Sequence, residues 1–111
     1  MAGKFEIFED KAGEFRFRLK AGNGEIILAS EGYKQKSSAR NGIDSVKENA
    51  PKDERYERKD TGSSKYMFNL KAGNGEVIGT SESYTTSSAR ENGIASVKNN
   101  APDARTDDLT A

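Results

Sequence analysis

The chain contains no cysteine and no histidine, and these two absences remove most of the familiar site chemistry. Without cysteine there is no disulfide framework and no thiolate nucleophile, which fits a reducing cytoplasm. Without histidine the chain lacks the commonest general base and, with cysteine also missing, the commonest zinc ligands. The sequence also shows no loop of converging carboxylates typical of a magnesium or calcium site. We therefore predict no metal, no cofactor and no catalytic residue, and we expect a protein that is not an enzyme.

Net charge and long apolar runs are missing as well. The 18 basic residues balance the 18 acidic ones, so no long-range field attracts nucleic acid or an anionic membrane. No apolar run approaches the length of a membrane span, and the first residues lack the apolar core of a signal peptide. We therefore expect a soluble cytoplasmic protein with no membrane partner.

What the chain does have is an internal repeat. Residues 5–51 align with residues 56–102 at a shift of 51 without a gap, and 23 of the 47 positions are identical. A unit of about 50 residues buries too little surface to be stable alone, and only 32% of the residues are apolar. We therefore predict two units, 1–54 and 55–111, which share one core in a single structural domain.

The pattern predicts three strands and a helix in each unit. Phe15, Phe17 and Leu19 alternate with charged residues, which is the period of a half-buried strand. A Gly-Asn-Gly turn then predicts a hairpin, and a helix follows, with Ser37 and Ser88 as its expected N-caps. The predicted strands are 4–8, 14–20, 25–29, 55–59, 65–71 and 76–80, and the predicted helices are 37–49 and 88–100.

The facing of the third strand depends on the hairpin loop. A loop of two or four residues would turn Ile26 and Leu28 to the core, whereas a three-residue loop with a bulge would turn Ile27 there. Ile27 is identical to Ile78 in the second unit, while Leu28 becomes Gly79. This difference favours the bulged register.

Two further features of the repeat predict local structure. Gly42 and Gly93 lie in the middle of the helices, where each costs about 0.5–1 kcal/mol relative to alanine. Because both units keep this glycine, we expect the helix backbone to lie close to the sheet or to the other helix.

The segment 106–110 aligns with the first strand of a unit but has lost the aromatic residues, so it forms either a last edge strand or a frayed end.

The repeated Ser-Glu-x-Tyr word is the first candidate binding site. It joins a strand end to a helix start and combines a hydroxyl, a carboxylate and a phenol, which suits a small polar ligand or the backbone of a partner. The favoured interpretation is structural: the tyrosine packs under the helix, and the serine and glutamate satisfy exposed backbone groups. The candidate residues are Ser30, Glu31, Tyr33, Ser81, Glu82 and Tyr84.

Basic residues on the outer face of the sheet are the second candidate. Arg16, Arg18, Lys65 and Lys71 could follow a phosphate backbone. Glutamates are interleaved with them and no aromatic residue clearly faces outward, so cross-strand charge pairing on a solvated face is favoured over nucleic-acid binding. The Gly-x-Gly of the hairpin lacks a third glycine and a following helix, and it therefore does not predict a dinucleotide site.

These repeated words resemble the YegP-like family of small bacterial proteins of unknown function. The matching words are Gly-Lys-Phe-Glu-Ile-Phe at 3–8, Phe-Arg-Leu-Lys-Ala-Gly-Asn-Gly-Glu at 17–25, Ser-Glu-x-Tyr at 30–33 and Asn-Gly-Ile-x-Ser-Val-Lys-x-Asn-Ala-Pro at 41–51. The resemblance implies an α+β fold of two tandem β-β-β-α repeats. They would share one antiparallel sheet with two helices on one face, related by a pseudo-twofold axis, and the strand after each helix would be exchanged with the other unit.

The same resemblance implies a monomeric covalent pseudo-dimer and brings no activity, substrate or catalytic residue with it. Our leading hypothesis is a non-enzymatic binding or interaction module with two pseudo-symmetric half-sites and another protein as partner. The alternatives are a nucleic-acid-binding sheet surface and a small polar ligand held at the Ser-Glu-x-Tyr connectors.

Overall fold

A computed structural model describes residues 3–63 and 65–110, which form one seven-stranded sheet and two helices. The strand order across the sheet is β4-β5-β6-β3-β2-β1-β7. In chain order the elements are β1 (Lys4–Glu9), β2 (Phe15–Lys20), β3 (Ile26–Ala29), α1 (Lys36–Asn49), β4 (Tyr56–Asp60), β5 (Tyr66–Lys71), β6 (Val77–Thr80), α2 (Ser87–Asn100) and β7 (Arg105–Asp108), with a short 3₁₀ turn at Asp53–Arg55 before β4.

The two units meet at the centre of the sheet, where β3 and β6 run antiparallel. Ala29 lies opposite Thr80, and since these are equivalent positions of the repeat, the pseudo-twofold axis passes through this pair. Each helix packs on both units: α1 lies on β2 and β6, and α2 lies on β5 and β3. The buried apolar side chains of both units consequently form one cluster. The division of the chain at residue 54 stays a prediction.

The predicted α+β fold class is confirmed, but the sheet is mixed rather than wholly antiparallel, because β7 runs parallel to β1. The strand after each helix crosses to the far side of the other unit, so β4 lies beside β5. By symmetry β7 would lie beside β2, but β1 already occupies that place. β1 and β7 both run antiparallel to β2, as a direct neighbour of β2 at this position would, and they are therefore parallel to each other. Residues 105–108 thus form an edge strand.

The prediction that a bulge turns Ile27 to the core is confirmed, but the accompanying expectation that Leu28 would face away is wrong, because Leu28 pairs with the buried Leu19. The pairing of β2 with β3 shifts between Leu19 and Lys20, Ile27 is buried, and Ile26 is exposed. Leu28 is buried as well, one residue from the pseudo-twofold axis. An ideal Cβ on Gly79 would lie 2.6 Å from the Leu28 side chain, so the leucine of one unit fills the space that the glycine of the other leaves.

Each helix begins earlier than expected, so Ser37 and Ser88 are not the N-caps. The N-caps are Gln35 and Thr86, which have the extended backbone of a cap, whereas the two serines already lie inside the helices. Thr86 Oγ1 accepts a hydrogen bond from the backbone N–H of Ala89 at 3.0 Å, while Gln35 makes no side-chain cap. The segment of the chain that the structure describes contains no helix long and apolar enough to cross a membrane.

The helical glycines meet the aromatic residues beneath them. A Cβ on Gly42 would lie 2.8 Å from Phe17 Cε2 and 2.9 Å from the Tyr33 hydroxyl, and a Cβ on Gly93 would collide with the Tyr84 hydroxyl. The expected close approach of the helix backbone to the sheet side is thus confirmed, and it explains why both units accept glycine in mid-helix.

Candidate functional site

The serine hydroxyl groups of the two Ser-Glu-x-Tyr connectors are hydrogen-bonded to the backbone. Ser30 Oγ accepts a hydrogen bond from the N–H of Phe17 at 2.9 Å and donates one to the carbonyl of Glu31 at 2.8 Å. Ser81 repeats both bonds in the second unit, with distances of 2.9 and 2.7 Å. Each serine is only 7% exposed. The hydroxyls therefore fasten β3 and β6 to their neighbouring strands and are turned away from solvent.

The tyrosines of the connectors lie between the sheet and the helices. Tyr33 exchanges two backbone hydrogen bonds of 2.7 Å with Phe15, and its ring stacks on Phe17 with centroids 6.3 Å apart. Tyr84 stacks on Phe68 in the same way, with centroids 6.5 Å apart. The rings are half-buried under α1 and α2, and their hydroxyl groups lie close to Gly42 and Gly93 of these helices.

The glutamates of the connectors, in contrast, are exposed. Glu31 and Glu82 make no ion pair within residues 3–63 and 65–110, and neither do Glu25 and Glu76 at the hairpin ends. The pKa of Tyr33 is raised by burial and by the negative charges of Glu31 and Glu76. Glu76 belongs to the other unit, so each site combines a connector from one unit with a hairpin from the other.

The same arrangement recurs at the second connector. Burial and the charges of Glu82 and Glu25 raise the pKa of Tyr84. We call these two groups of three residues the first acidic patch (Glu31, Tyr33 and Glu76) and the second acidic patch (Glu82, Tyr84 and Glu25). All three positions are identical in the two units. Sequence reasoning missed the hairpin glutamates, although their identity between the units was a signal that could have found them.

The two patches differ at their borders. The carboxylate of Glu14 contacts the backbone of Gly32 beside the first patch. The equivalent residues in the second unit are Lys65 and Ser83. The border of the first patch therefore carries the negative charge of Glu14 where the second carries the positive charge of Lys65. A cation also lies near the first patch: the pKa of Arg16 is raised by its hydrogen bond to Asp10 and further by the charges of Glu14 and Glu31. The equivalent residue of the second unit is Met67.

The basic residues of the outer face do not form one free basic surface. Arg16 Nε donates to Asp10 at 2.7 Å, and Lys71 Nζ donates to Glu57 at 3.1 Å. Lys65 lies just before β5, is exposed, and makes no ion pair in the described part of the chain. Cross-strand pairing with carboxylates thus neutralises much of the charge that a phosphate backbone would need.

Arg18 is held in a cluster around Glu6, which is only 5% exposed although it faces away from the helices. Glu6 accepts from Arg18 at 2.8 Å and lies 3.2 Å from Lys20 and 3.6 Å from Lys4. Burial raises the pKa of Glu6, but the hydrogen bonds from Arg18 and Lys20 outweigh it and leave the pKa lowered. The Arg18 guanidinium also covers the ring of Phe8 at 4.6 Å. The expectation that no aromatic residue faces outward was therefore wrong, because Phe8 alternates with Lys4 and Glu6.

A cleft of about 530 Å³ opens where the β2–β3 hairpin meets the starts of β1 and β7. Its basic lining residues, Lys4, Lys20 and Arg105, are directed to the carboxylates of Glu6 and Asp107. Within the described residues no group of three or more acidic side chains is arranged to hold a metal ion.

Fold and site together define a class: duplicated β-β-β-α proteins whose two units share one sheet and exchange the strand after each helix. The chain belongs to the family described as "Domain of unknown function (DUF1508)", whose model matches residues 10–57 and 63–108. Each matched range runs from just before the second strand of a unit past its helix into the exchanged strand, so the repeating unit of the family includes that strand.

Relatives and solved structures agree with this assignment and confirm the resemblance to YegP. The chain is 67% identical over 105 residues to the "UPF0339 protein in ptx operon 5'region" of Stutzerimonas stutzeri, with 95% of each chain covered. It is 52% identical over 110 residues to the UPF0339 protein YegP of Escherichia coli K12, with 99% of this chain and 100% of the relative covered.

Two solution NMR structures have the same fold. The E. coli yegP structure matches with a TM-score of 0.93 and 51% identity, covering 98% of this chain and 94% of the other. A UPF0339 protein from Shewanella oneidensis matches with a TM-score of 0.93 and 47% identity, covering 98% and 92%. These descriptions give unknown function and name no enzymatic activity.

Proposed function

We propose that the protein is a non-enzymatic, cytoplasmic binding module that recognises basic side chains of a partner protein through the two acidic patches. The observation that carries this proposal is the composition of the patches. Each contains an exposed connector glutamate of one unit and an exposed hairpin glutamate of the other, and these residues are identical in both units.

Folding accounts for the other residues of the repeated words but not for these glutamates. Ser30 holds a backbone N–H, and Tyr33 packs on Phe17. Glu6 is tied to cations on the outer face. The patch glutamates make no ion pair and no side-chain hydrogen bond in the described part of the chain. Two exposed carboxylates whose charges act on the same tyrosine would attract a lysine or arginine head group.

The arrangement of the two patches supports a partner that touches both. Because β3 and β6 are antiparallel, the end of β3 lies beside the start of β6, and the reverse holds at the other end. The patches therefore lie at opposite ends of the central strand pair. A partner with two basic groups, or a twofold partner, would gain avidity from engaging both at once.

Two observations favour this class over the alternatives. The chain has neither histidine nor cysteine, which leaves few candidates for acid–base or nucleophilic catalysis. The outer-face residues Arg16, Arg18 and Lys71 are each paired with a carboxylate, which weakens the case for nucleic acid.

The test is an amide-resolved NMR titration of the intact protein with a peptide of alternating lysine and glycine. We expect saturable shifts at residues 25, 31–33, 76 and 82–84. A variant carrying Glu25→Gln, Glu31→Gln, Glu76→Gln and Glu82→Gln should bind at least about tenfold more weakly.

The matched control changes four exposed acids that lie outside the patches and make no ion pair in the described part of the chain: Glu9→Gln, Asp44→Asn, Glu48→Gln and Glu54→Gln. This control has the same net charge as the patch variant, and it should bind the peptide as tightly as the parent does. Equal loss in both variants would reduce the effect to general charge attraction. A parallel titration with single-stranded DNA at low salt would reassign the protein if shifts at Arg16, Arg18, Lys65 and Lys71 appear and salt reverses them.

A further inference from the structure

The strand β7 is attached to the outside of the sheet rather than built into it. It pairs in parallel with β1 from Lys4 opposite Arg105 to Ile7 opposite Asp108, and the N–H of Leu109 donates to the carbonyl of Ile7 at 2.9 Å. No residue of β7 is buried, and Leu109 is 54% exposed. Apolar burial therefore contributes little to holding this strand.

Charged contacts on both faces of the sheet hold β7 instead. On the helix side, Asp108 accepts from Lys36 Nζ at 3.0 Å and from Arg40 Nη2 at 2.9 Å, both from α1. On the outer side, Asp107 lies 3.4 Å from Lys4 Nζ. Adjacent residues of a strand point to opposite faces, so the two neighbouring aspartates are recognised by cations on opposite sides.

The receiving surface has the properties of a peptide-binding edge. Main-chain hydrogen bonds to β1 supply affinity for any extended strand, and the cations on the two faces select acidic side chains at two consecutive positions. We call this surface the β1 edge: the side of β1 with which β7 pairs, together with Lys4, Lys36 and Arg40.

The second unit shows that the fold does not need a strand at this place. β4 is the equivalent of β1, and within the described residues no strand lies beyond β4. The equivalents of Lys36 and Arg40 there are Ser87 and Glu91, so the two helix-side cations are a property of the first unit alone, whereas Lys4 has the basic equivalent Arg55.

We propose that the β1 edge is a binding site for an acidic extended segment of a partner protein, and that β7 is the intramolecular competitor which occupies it. The segment runs parallel to β1 and presents two consecutive acidic residues, as Asp107 and Asp108 do. The bound state of β7 lowers the apparent affinity for the partner by the fraction of molecules in which the edge is open.

The experiment uses a capped peptide with the sequence of residues 103–110 and the full-length protein, as wild type and as D107N/D108N. The two substitutions weaken β7 and leave the β1 edge intact. We expect the peptide to bind the variant at least about tenfold more tightly than the wild type, with amide shifts along β1 and at Lys36 and Arg40. The variant Asp103→Asn, a change outside β7, should behave as the wild type does.

Three controls make the result decisive. A peptide with asparagine in place of the aspartates at positions 107 and 108 should not bind, and adding K36Q and R40Q to D107N/D108N should abolish binding. Failure of the acidic peptide to bind the folded variant, or equal binding of both peptides, would overturn the proposal. The third control is light scattering of the variant without peptide. A concentration-dependent dimer would show that a second copy of the chain binds the β1 edge, and this result would also overturn the proposal.

Amide hydrogen exchange of the wild type provides a second readout that needs no substitution. The amide of Leu109 should exchange at least about 100-fold faster than those of Phe17 and Leu19 in β2, because β7 opens without unfolding the core. If Leu109 exchanges only with global unfolding, β7 is a permanent part of the sheet and the β1 edge is not a site.

Discussion

The two units fold the same backbone twice but differ where they touch each other and where they face outward. The serine hydrogen bonds and tyrosine stacks are the same in both units to within 0.2 Å. At the pseudo-twofold axis Leu28 faces Gly79, and on the outer face Glu6 is enclosed by three cations, whereas the Glu57 side chain is 37% exposed. The comparison shows that both units keep the contacts that stabilise each of them. They differ at the contact between the units, where the difference makes them fit, and on the outer face of the sheet.

The largest effect is expected at the axis. Leu28→Gly removes a buried side chain and should cost about 3–5 kcal/mol of unfolding free energy, and Gly79→Leu overpacks the same space at about 1–3 kcal/mol. Because the two positions are equivalent, the double variant L28G/G79L restores one leucine and one glycine. Urea unfolding should find it far more stable than the sum of the single changes predicts. Additive losses would show that the axis environment is not symmetric.

The helical glycines are the next comparison. Alanine at 42 or 93 meets an aromatic side chain, and each change should destabilise by about 1–3 kcal/mol despite the better helix propensity of alanine. Tyr84→Phe removes the atom nearest to a Cβ at residue 93 and leaves the ring Cζ at 2.8 Å. Tyr33→Phe leaves the atom nearest to a Cβ at residue 42, Phe17 Cε2 at 2.8 Å, in place. Thermal unfolding should therefore show a larger rescue of G93A by Y84F than of G42A by Y33F. Equal rescue would contradict the difference in packing.

The outer-face carboxylates differ in their response to pH. Glu6→Gln should cost about 1–2 kcal/mol at pH 7, because it leaves Arg18 and Lys20 without a buried carboxylate, and Glu57→Gln should cost less. The pKa of Glu6 is lower in the folded than in the unfolded chain, so its stabilisation is present above the unfolded pKa and is lost as the pH falls through the folded one. The urea midpoints of E6Q and the parent should therefore converge as the pH falls below about 5. A constant difference would argue against an ionic role for Glu6.

The smallest effect concerns the helix starts. Thr86→Ala removes the side-chain N-cap of α2 and should cost about 1 kcal/mol, while Gln35→Ala should change the stability very little. Gln35→Thr should give α1 the cap that α2 has and stabilise by a similar amount. Chemical denaturation of the three variants checks this, and a loss on Q35T would show that the backbone at 35 cannot place the hydroxyl.

Much of the fold was predictable because its signals are local. Alternation in 14–20, the Gly-Asn-Gly turns and the helical spacing each depend on neighbouring residues, and the repeat added a second reading of every signal. The bulged register also followed from comparing Ile27 with Ile78. The helix starts were wrong because serine is a good cap wherever the chain allows one, and only the backbone conformation decides the position.

The parts that could not be predicted depend mainly on contacts between residues far apart in the sequence. The parallel placement of β7 results from β1 occupying a place that only the folded sheet defines. The burial of Glu6 comes from the long side chains of Arg18 and Lys20 on the neighbouring strand. The outward face of Phe8, in contrast, follows from its alternation with Lys4 and Glu6 and could have been predicted. The acidic patches were not predicted because Glu31 and Glu76 belong to different units. The candidate binding residues on the connectors and the outer face stay predictions for the titrations above.

The pairing of β1 with β7 joins the first strand of the two units to the segment that follows the last helix. Such a contact closes a loop that contains nearly all of the folded chain, and contacts of this kind form late. During synthesis β1 can pair with β2 as soon as the first hairpin has left the ribosome, but it must wait for every later element before β7 arrives. Each new molecule therefore passes through a period in which this side of the sheet is bare, and the nascent chain is the form most open to unwanted strand pairing.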